Sequence, residues 1–229
     1  ELGISDNHEG IIRLNDNSKI GQSYSEIAGL DDVVIEIGIT PNRQDCLGVF
    51  GIARDLAASG LGKLKIRKNS SQKGSFKSPI DIETKNTDLC PIFAGRYFKG
   101  VKNVQSPDWL QQKLKSVGLR PISALVDITN FVMLDLNRPL HVYDADKIDG
   151  KIIVRESKEG ESFNALDEKS YDLKDGMCAI ADERKVLGLG GIMGGESSGC
   201  NESTENVLLE SALFNPINIA KSGRNLSIL

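Results

Sequence analysis

The chain has 229 residues, 39% hydrophobic and 26% charged, with 23 glycines, no internal repeat and no low-complexity tract, which is the make-up of a globular protein. No apolar run approaches the length of a membrane-spanning helix, and no signal-peptide pattern opens the chain. The formal charge is −4, but residues 62–78 hold six cations and no acid, so the rest carries −10 and is excluded as a general nucleic-acid platform, though it could hold one end of a nucleic acid presented by another body.

Cys46, Cys90, Cys178 and Cys200 are widely scattered, with no C-x-x-C and no histidine beside them. That spacing argues against zinc and against a disulfide scaffold, and suits a reducing, cytoplasmic setting. No metal-ligand spacing occurs anywhere. The first residue is Glu and enters mid-pattern, so the chain is expected to be a fragment of a longer polypeptide.

Residues 1–32 are polar and turn-rich. Residues 33–40 alternate, with Val33, Ile35, Ile37 and Ile39 on one side, and predict a strand that Pro41 stops. Asn42 as N-cap and Asp45 at N3 predict a helix running to Gly60. Arg43 and Asp45 are expected to pair locally. Residues 62–78, charged and rich in Ser and Gly, form a basic linker, with a domain boundary near residue 75. Strands are expected at 80–83 and 93–98. Ser106, Pro107 and Asp108 predict an N-cap, N1 and first-turn acid, with Gly118 as C-cap and Trp109 in the core. Further strands are expected at 152–155, 177–181, 186–189 and 206–209, and a last helix after Asn215 and Pro216. Strands and helices interspersed without βαβ spacing give an α+β class: a small, mainly helical N-terminal segment (1–61), then a larger mixed-sheet domain (79–229).

Residues 118–146 are the most informative stretch. Pro121 can begin a helix, and Leu125, Ile128, Val132 and Leu136 recur at helical spacing with Phe131 and Leu134 on the other side. A helix apolar on both sides is buried. Asp127, Thr129 and Asn130 are then polar groups needing partners, either as a pocket wall or as anchors for neighbouring backbone. His141, one of only two histidines, follows Arg138 and Pro139 and is expected on a turn.

Residues 188–196 hold five glycines. Such a stretch allows close backbone approach to a ligand, or merely tight turns in a crowded sheet. It is neither a Walker loop nor a dinucleotide fingerprint. Of the carboxylates, Glu196 is expected to be partly solvated. Glu210 closes the apolar VLLE run, and a buried acid there needs a partner or a task. No nucleophile elbow is present.

Taken together, EIGITPNRQDCLGVFGIARDLA (36–57), VGLRPISALVDITNFVMLDLNRPLHVYDADKI (117–148) and LGLGGIMGGESSGCNESTENVLLESALFNP (187–216) resemble the beta-subunit family of bacterial phenylalanyl-tRNA synthetases. The likeness covers essentially the whole chain; even ELGISD at its start resembles the segment after that family's tRNA-binding domain. It implies an editing domain that hydrolyses tyrosine misattached to phenylalanine tRNA. It also implies an alpha-subunit partner in an (αβ)2 tetramer, and ATP and magnesium in the parent enzyme but no cofactor in this stretch. By matched position it implies Arg120, Thr129, Asn130 and His141 as catalytic residues, and Glu210, Gly191 and Gly194 as substrate-binding ones. Departures from the family pattern at Pro121, Met133 and Cys200 are not expected to alter the chemistry, and the chain is expected to stop short of the family's next pocket segment. The alternative is a scaffold that binds tRNA and subunits without hydrolysis.

Overall fold

A computed structural model describes residues 10–11, 13–14, 18–66 and 70–228; the opening ELGISD stretch lies outside the described residues. Two compact units result, Glu1–Glu36 and Ile37–Leu229. The helix before residues 62–78 packs on a helix after them. The first unit holds α1 (Tyr24–Ala28), closed by Gly29 in the left-handed region, φ 66°.

The larger unit is α+β, as its sequence implied. In chain order it contains α2 (Val49–Ala58), β1 (Ile82–Thr84), β2 (Ile92–Lys99), α3 (Asp108–Ser116), α4 (Ala124–Leu136), β3 (His141–Asp144) and β4 (Ile152–Glu156). Then come β5 (Ser162–Asn164), β6 (Ser170–Asp172), β7 (Cys178–Ala181), β8 (Val186–Leu189), β9 (Met193–Gly194), β10 (Asn206–Leu213) and α5 (Pro216–Asn225). Strands β1-β4-β7-β8-β9 form a mixed sheet in which only β1 and β4 run parallel. Strands β2-β10-β3 form an antiparallel sheet, and β5-β6 a hairpin.

The core lies between the two larger sheets. Tyr143 and Leu208 from the antiparallel sheet pack with Ile152, Val154, Cys178, Ile180 and Leu187 from the mixed one. A second cluster of Phe163, Leu173, Met177, Ala179 and Leu189 covers the mixed sheet's other face. Alternate residues of β7 therefore point into different clusters, which is why the whole strand is apolar rather than alternating.

Several sequence expectations are corrected. Among the described residues, 33–40 pair with no strand and carry exposed Val33, Ile35 and Ile37; alternation offers two faces but cannot supply a partner strand. The expected helix from Asn42 begins only at Val49, after a 3-10 turn at Gln44–Cys46. Asp45 pairs there with Arg43 at 3.1 Å and also with Arg54, the local pairing expected of Arg43 and Asp45. Gly48 starts α2 because a Cβ there would lie 2.6 Å from the Asn137 backbone nitrogen just past α4. Trp109 is 56% exposed, stacking edge-to-face on Phe131 instead of entering the core. The expectations for α5 hold: Asn215 accepts from the Ile217 and Asn218 amides, with Pro216 at N1.

Helix α4 starts at Ala124, not at Pro121, and its apolar face is less buried than expected. Asp127, Thr129 and Asp135 are buried, whereas Ile128 and Leu136 are about half exposed. Asp127 accepts from the Ile122 amide at 2.8 Å and from the Ser106 hydroxyl, so it ties the entry of α4 to the start of α3. The anchoring alternative is the one realised for Asp127.

Candidate functional site

After α4, Asn137 takes a left-handed conformation (φ 52°) and residues 138–140 carry the chain into β3. His141 is therefore the first residue of a strand and not on a turn. Register sets what it meets: on the antiparallel pair β3/β10, His141 lies directly opposite Glu210, and Tyr143 opposite Leu208. Residues two apart on a strand share a face, so His141, Tyr143, Leu208 and Glu210 all point toward the core. Glu210 sits mid-strand, since β10 continues to Leu213, beyond the end expected for it.

The electrostatics follow from burial. Glu210 is 6% exposed, and desolvation raises its carboxyl to about 7. The hydroxyl of Tyr143 donates to Glu210 Oε2, which favours the ionised form but does not offset burial. Burial also lowers His141 to about 4, so its imidazole is neutral at physiological pH. Although the His141 side chain as a whole is only partly covered, its Nε2 is fully buried and has no hydrogen-bond partner among the described residues. The His141 and Tyr143 rings meet edge-to-face at 4.4 Å. A neutral imidazole with a free nitrogen thus stands beside a poised carboxyl.

These groups line a cavity of about 560 Å³ together with Gly191, Gly194, Leu189, Phe214, Ile219 and the polar Gln44 and Asn137. The size is that of a small-molecule pocket, apolar with few polar groups. The glycine stretch makes the tight turn and the crowded contacts that its sequence allowed. Gly191 is the third residue of a tight turn closed by the Ile192 amide on the Leu189 carbonyl, and its φ of 72° favours glycine. Gly190 leaves no room for a Cβ against Phe214 and Cys178, and Gly195 none against the Leu187 carbonyl. At Gly194 a Cβ would lie 2.4 Å from His141 Cε1 and 2.8 Å from Nε2. Gly194→Ala is therefore expected to rotate the His141 ring off Tyr143 and to cost about 1–3 kcal/mol by overpacking. Denaturant unfolding and the His141 Cε1 proton resonance check this, and an unmoved resonance would show that the ring accommodates the methyl.

Of the residues singled out in the sequence, His141, Gly191, Gly194 and Glu210 share this cavity. Thr129, Asn130 and Arg120 do not line it. Thr129 donates to the Val126 carbonyl within α4 at 2.8 Å. It lies eight residues before Asn137, about 12 Å up the helix from the end that reaches the cavity. Asn130 is half-buried on the same helix, and Arg120 is exposed ahead of it. Glu196 is exposed in a 3-10 turn, as its sequence position suggested. Sequence reading missed Tyr143. The signal was there, two residues past His141 and so on the same strand face, but placing His141 on a turn hid it. A second cavity of about 340 Å³ is lined by Arg43, Cys46 and Asp55, and its arginine is held by Asp45 and Asp55. Among the described residues no group of His, Cys, Asp and Glu is arranged to hold a metal, and no helix is long and apolar enough to cross a membrane.

Residues 89–229 match the family model described as the B3/4 domain. The chain is 54% identical over 228 residues to the phenylalanine–tRNA ligase beta subunit of Bradyrhizobium diazoefficiens, and 54% identical to that of Rhodopseudomonas palustris. Each alignment covers 100% of this chain and 28% of the relative, so the chain spans under a third of the length of the proteins it matches. A crystal structure of an N-terminal fragment of the Pyrococcus horikoshii phenylalanyl-tRNA synthetase beta subunit is a looser likeness. Its TM-score is 0.46 at 15% identity, over 80% of this chain and 59% of that one. The chain belongs to the B3/4 domain family and along its whole length is similar to bacterial phenylalanine–tRNA ligase beta subunits.

Proposed function

We propose that the cavity between β3, β10 and the β8–β9 turn is an editing site that hydrolyses tyrosine from misacylated phenylalanine tRNA. The observation that carries this reading is the buried Glu210 carboxyl on the wall of an apolar cavity, beside a neutral His141 whose Nε2 is unpartnered. Tyrosine differs from phenylalanine only by a hydroxyl. A hydrophobic pocket rejects such an addition by about 10²-fold, whereas a site built to bond a hydroxyl rejects the analogue lacking it by roughly 10⁴–10⁵. A second pocket that demands the hydroxyl is the efficient remedy, and a buried carboxylate is a strong acceptor for it.

In this mechanism the tyrosyl ring enters the apolar cavity and its phenol donates to Glu210. The ester carbonyl then sits toward the cavity mouth, where water attacks. With its imidazole held near 4, His141 is a weak base. It serves instead to position the attacking water or the terminal ribose by a hydrogen bond at Nε2. An aminoacyl ester is already activated, so positioning and modest charge stabilisation suffice. Thr129, Asn130 and Arg120 are proposed to act on the tRNA end and not on the amino acid, in keeping with their place outside the cavity wall.

On this reading residues 79–229 are the editing domain, 62–78 a basic linker and 1–61 part of a small helical domain. The parent enzyme is a cytoplasmic ligase with an alpha subunit in an (αβ)2 assembly, and ATP and magnesium belong to it. Because the body outside the linker is acidic, tRNA is delivered by the rest of that enzyme. The test is deacylation of Tyr-tRNA by the full-length enzyme and by its His141→Ala variant. The variant is expected to be slowed by roughly 10–100-fold without losing all activity, the size of a lost positioning hydrogen bond. Unchanged rates, or no hydrolysis by the wild type, would favour the scaffold alternative.

A further inference from the structure

Tyr143 is the bulkiest of the wholly buried side chains, packed in the core between the sheets and edge-on to His141. It cannot swing out without leaving a hole in a close-packed interior. A phenol so placed needs a hydrogen-bond partner, and it takes Glu210 Oε2. The other oxygen of Glu210 has no partner among the described residues, and Glu210 borders the cavity. We infer that Tyr143 sets the hydroxyl-reading power of Glu210: its phenol permanently holds one carboxyl oxygen and leaves the other as the acceptor offered to a ligand's hydroxyl. This rests on the reading of the cavity as a tyrosyl-ester site.

Among the described residues nothing charged competes with that arrangement. Facing Glu210 are His141 and Tyr143 from β3, Cys90 from the turn before β2, and Cys178 from β7; β2 itself presents Gly95. Burial pushes the two thiols up to about 11 and about 12, raises the Tyr143 phenol well above its ordinary value and keeps His141 neutral. Strands β8 and β9 and helix α5 bring no titratable side chain to the cavity wall. The Tyr143 hydrogen bond is thus the interaction that favours the ionised carboxylate against burial. Without it the carboxyl stays protonated at neutral pH. A neutral oxygen then accepts the ligand's phenol about half as strongly. Tyr143 is in this sense a positioning residue, acting through Glu210.

The experiment follows release of tyrosine and phenylalanine from their phenylalanine-tRNA esters across pH 6–9, corrected for spontaneous ester loss. It uses the full-length enzyme as wild type, Tyr143→Phe and Glu210→Ala. Tyr143→Phe is expected to move the pH midpoint of tyrosine selectivity up by about one unit, lowering selectivity roughly three- to tenfold at pH 7 and restoring it at higher pH. Incorporating 3-fluorotyrosine at position 143, a stronger donor with nearly the same shape, should move the midpoint down. If Glu210→Ala loses selectivity while both changes at 143 keep the wild-type midpoint, the inference is overturned and the tyrosyl-ester reading stands. If Glu210→Ala keeps selectivity, the reading itself falls and takes the inference with it. Should Tyr143→Phe fail to fold, the fluorinated protein decides alone: a lower midpoint supports the inference and an unmoved one overturns it.

Discussion

Glu210→Ala in the full-length enzyme is expected to reduce discrimination between Tyr-tRNA and Phe-tRNA by about 10–100-fold, the worth of a hydrogen bond to a charged group in free-energy terms. The loss should fall on the tyrosyl ester. On the proposed editing reading, phenylalanine in the wild-type cavity covers the Glu210 oxygen without bonding it, which penalises the cognate ester; alanine removes the penalty along with the bond. Glu210→Gln is expected to lie between. Its amide has the same shape and can accept from Tyr143 through oxygen, but it is neutral and so a weaker partner for a phenol. The alanine variant also strands the buried Tyr143 hydroxyl, at a cost of about 1–3 kcal/mol in stability, so both esters must be assayed well below its unfolding temperature. Unchanged selectivity in a folded alanine variant would place the hydroxyl reader elsewhere on the cavity wall.

A second large effect is expected in the pH dependence of stability, where two opposed titrations hide each other. Burial lowers His141 from 6.5 to about 4. Its stabilising contribution is present above the unfolded value and is lost as pH falls through 4. Burial raises Glu210 from 4.5 to about 7, so its contribution is present below 4.5 and is lost as pH rises through 7. Each shift corresponds to about 3 kcal/mol, with opposite sign over the shared window of pH 4.5–6.5. The wild-type chain should therefore show little net slope from this pair. Glu210→Gln leaves only the histidine, so its stability should climb with pH between 4 and 6.5. His141→Gln leaves only the glutamate, so its stability should fall between 4.5 and 7. Denaturant midpoints measured at closely spaced pH values read the difference directly, since other titrating groups are common to all three proteins. Parallel curves would show that the two side chains are more hydrated than their burial implies.

The difference between α4 and β10 shows what a linear pattern can convey. Along β10, apolar Val207 and Leu208 followed by an acid pointed to a buried carboxyl, and Glu210 is buried. Along α4, the same kind of reading gave the helix and the inward placing of Asp127 but not the exposure of Ile128. Periodicity reports which residues share a side, not what that side is pressed against. Here Asp127 is drawn inward because its carboxylate satisfies the Ile122 amide and the Ser106 hydroxyl at the crowded entry to the helix.

By itself the sequence determined the α+β class, most of the strands, the caps of α5 and the local pairing of Arg43 with Asp45. It also marked His141, Gly191, Gly194 and Glu210 as residues worth following. The elements, the caps and the ion pair depend on neighbours a few positions away or on residue chemistry alone, whereas the choice of Gly191 and Gly194 follows from the family resemblance. The tertiary structure decided three further matters: the opposition of His141 and Glu210, the capture of Glu210 by Tyr143, and the exclusion of Thr129 and Asn130 from the cavity wall. Each turns on strand register or helix placement across some seventy residues of chain. Pairing β10 one residue out of step would turn Glu210 away from the core. Only packing of the two sheets selects the register, because only packing distinguishes burying Leu208 and Tyr143 from exposing them.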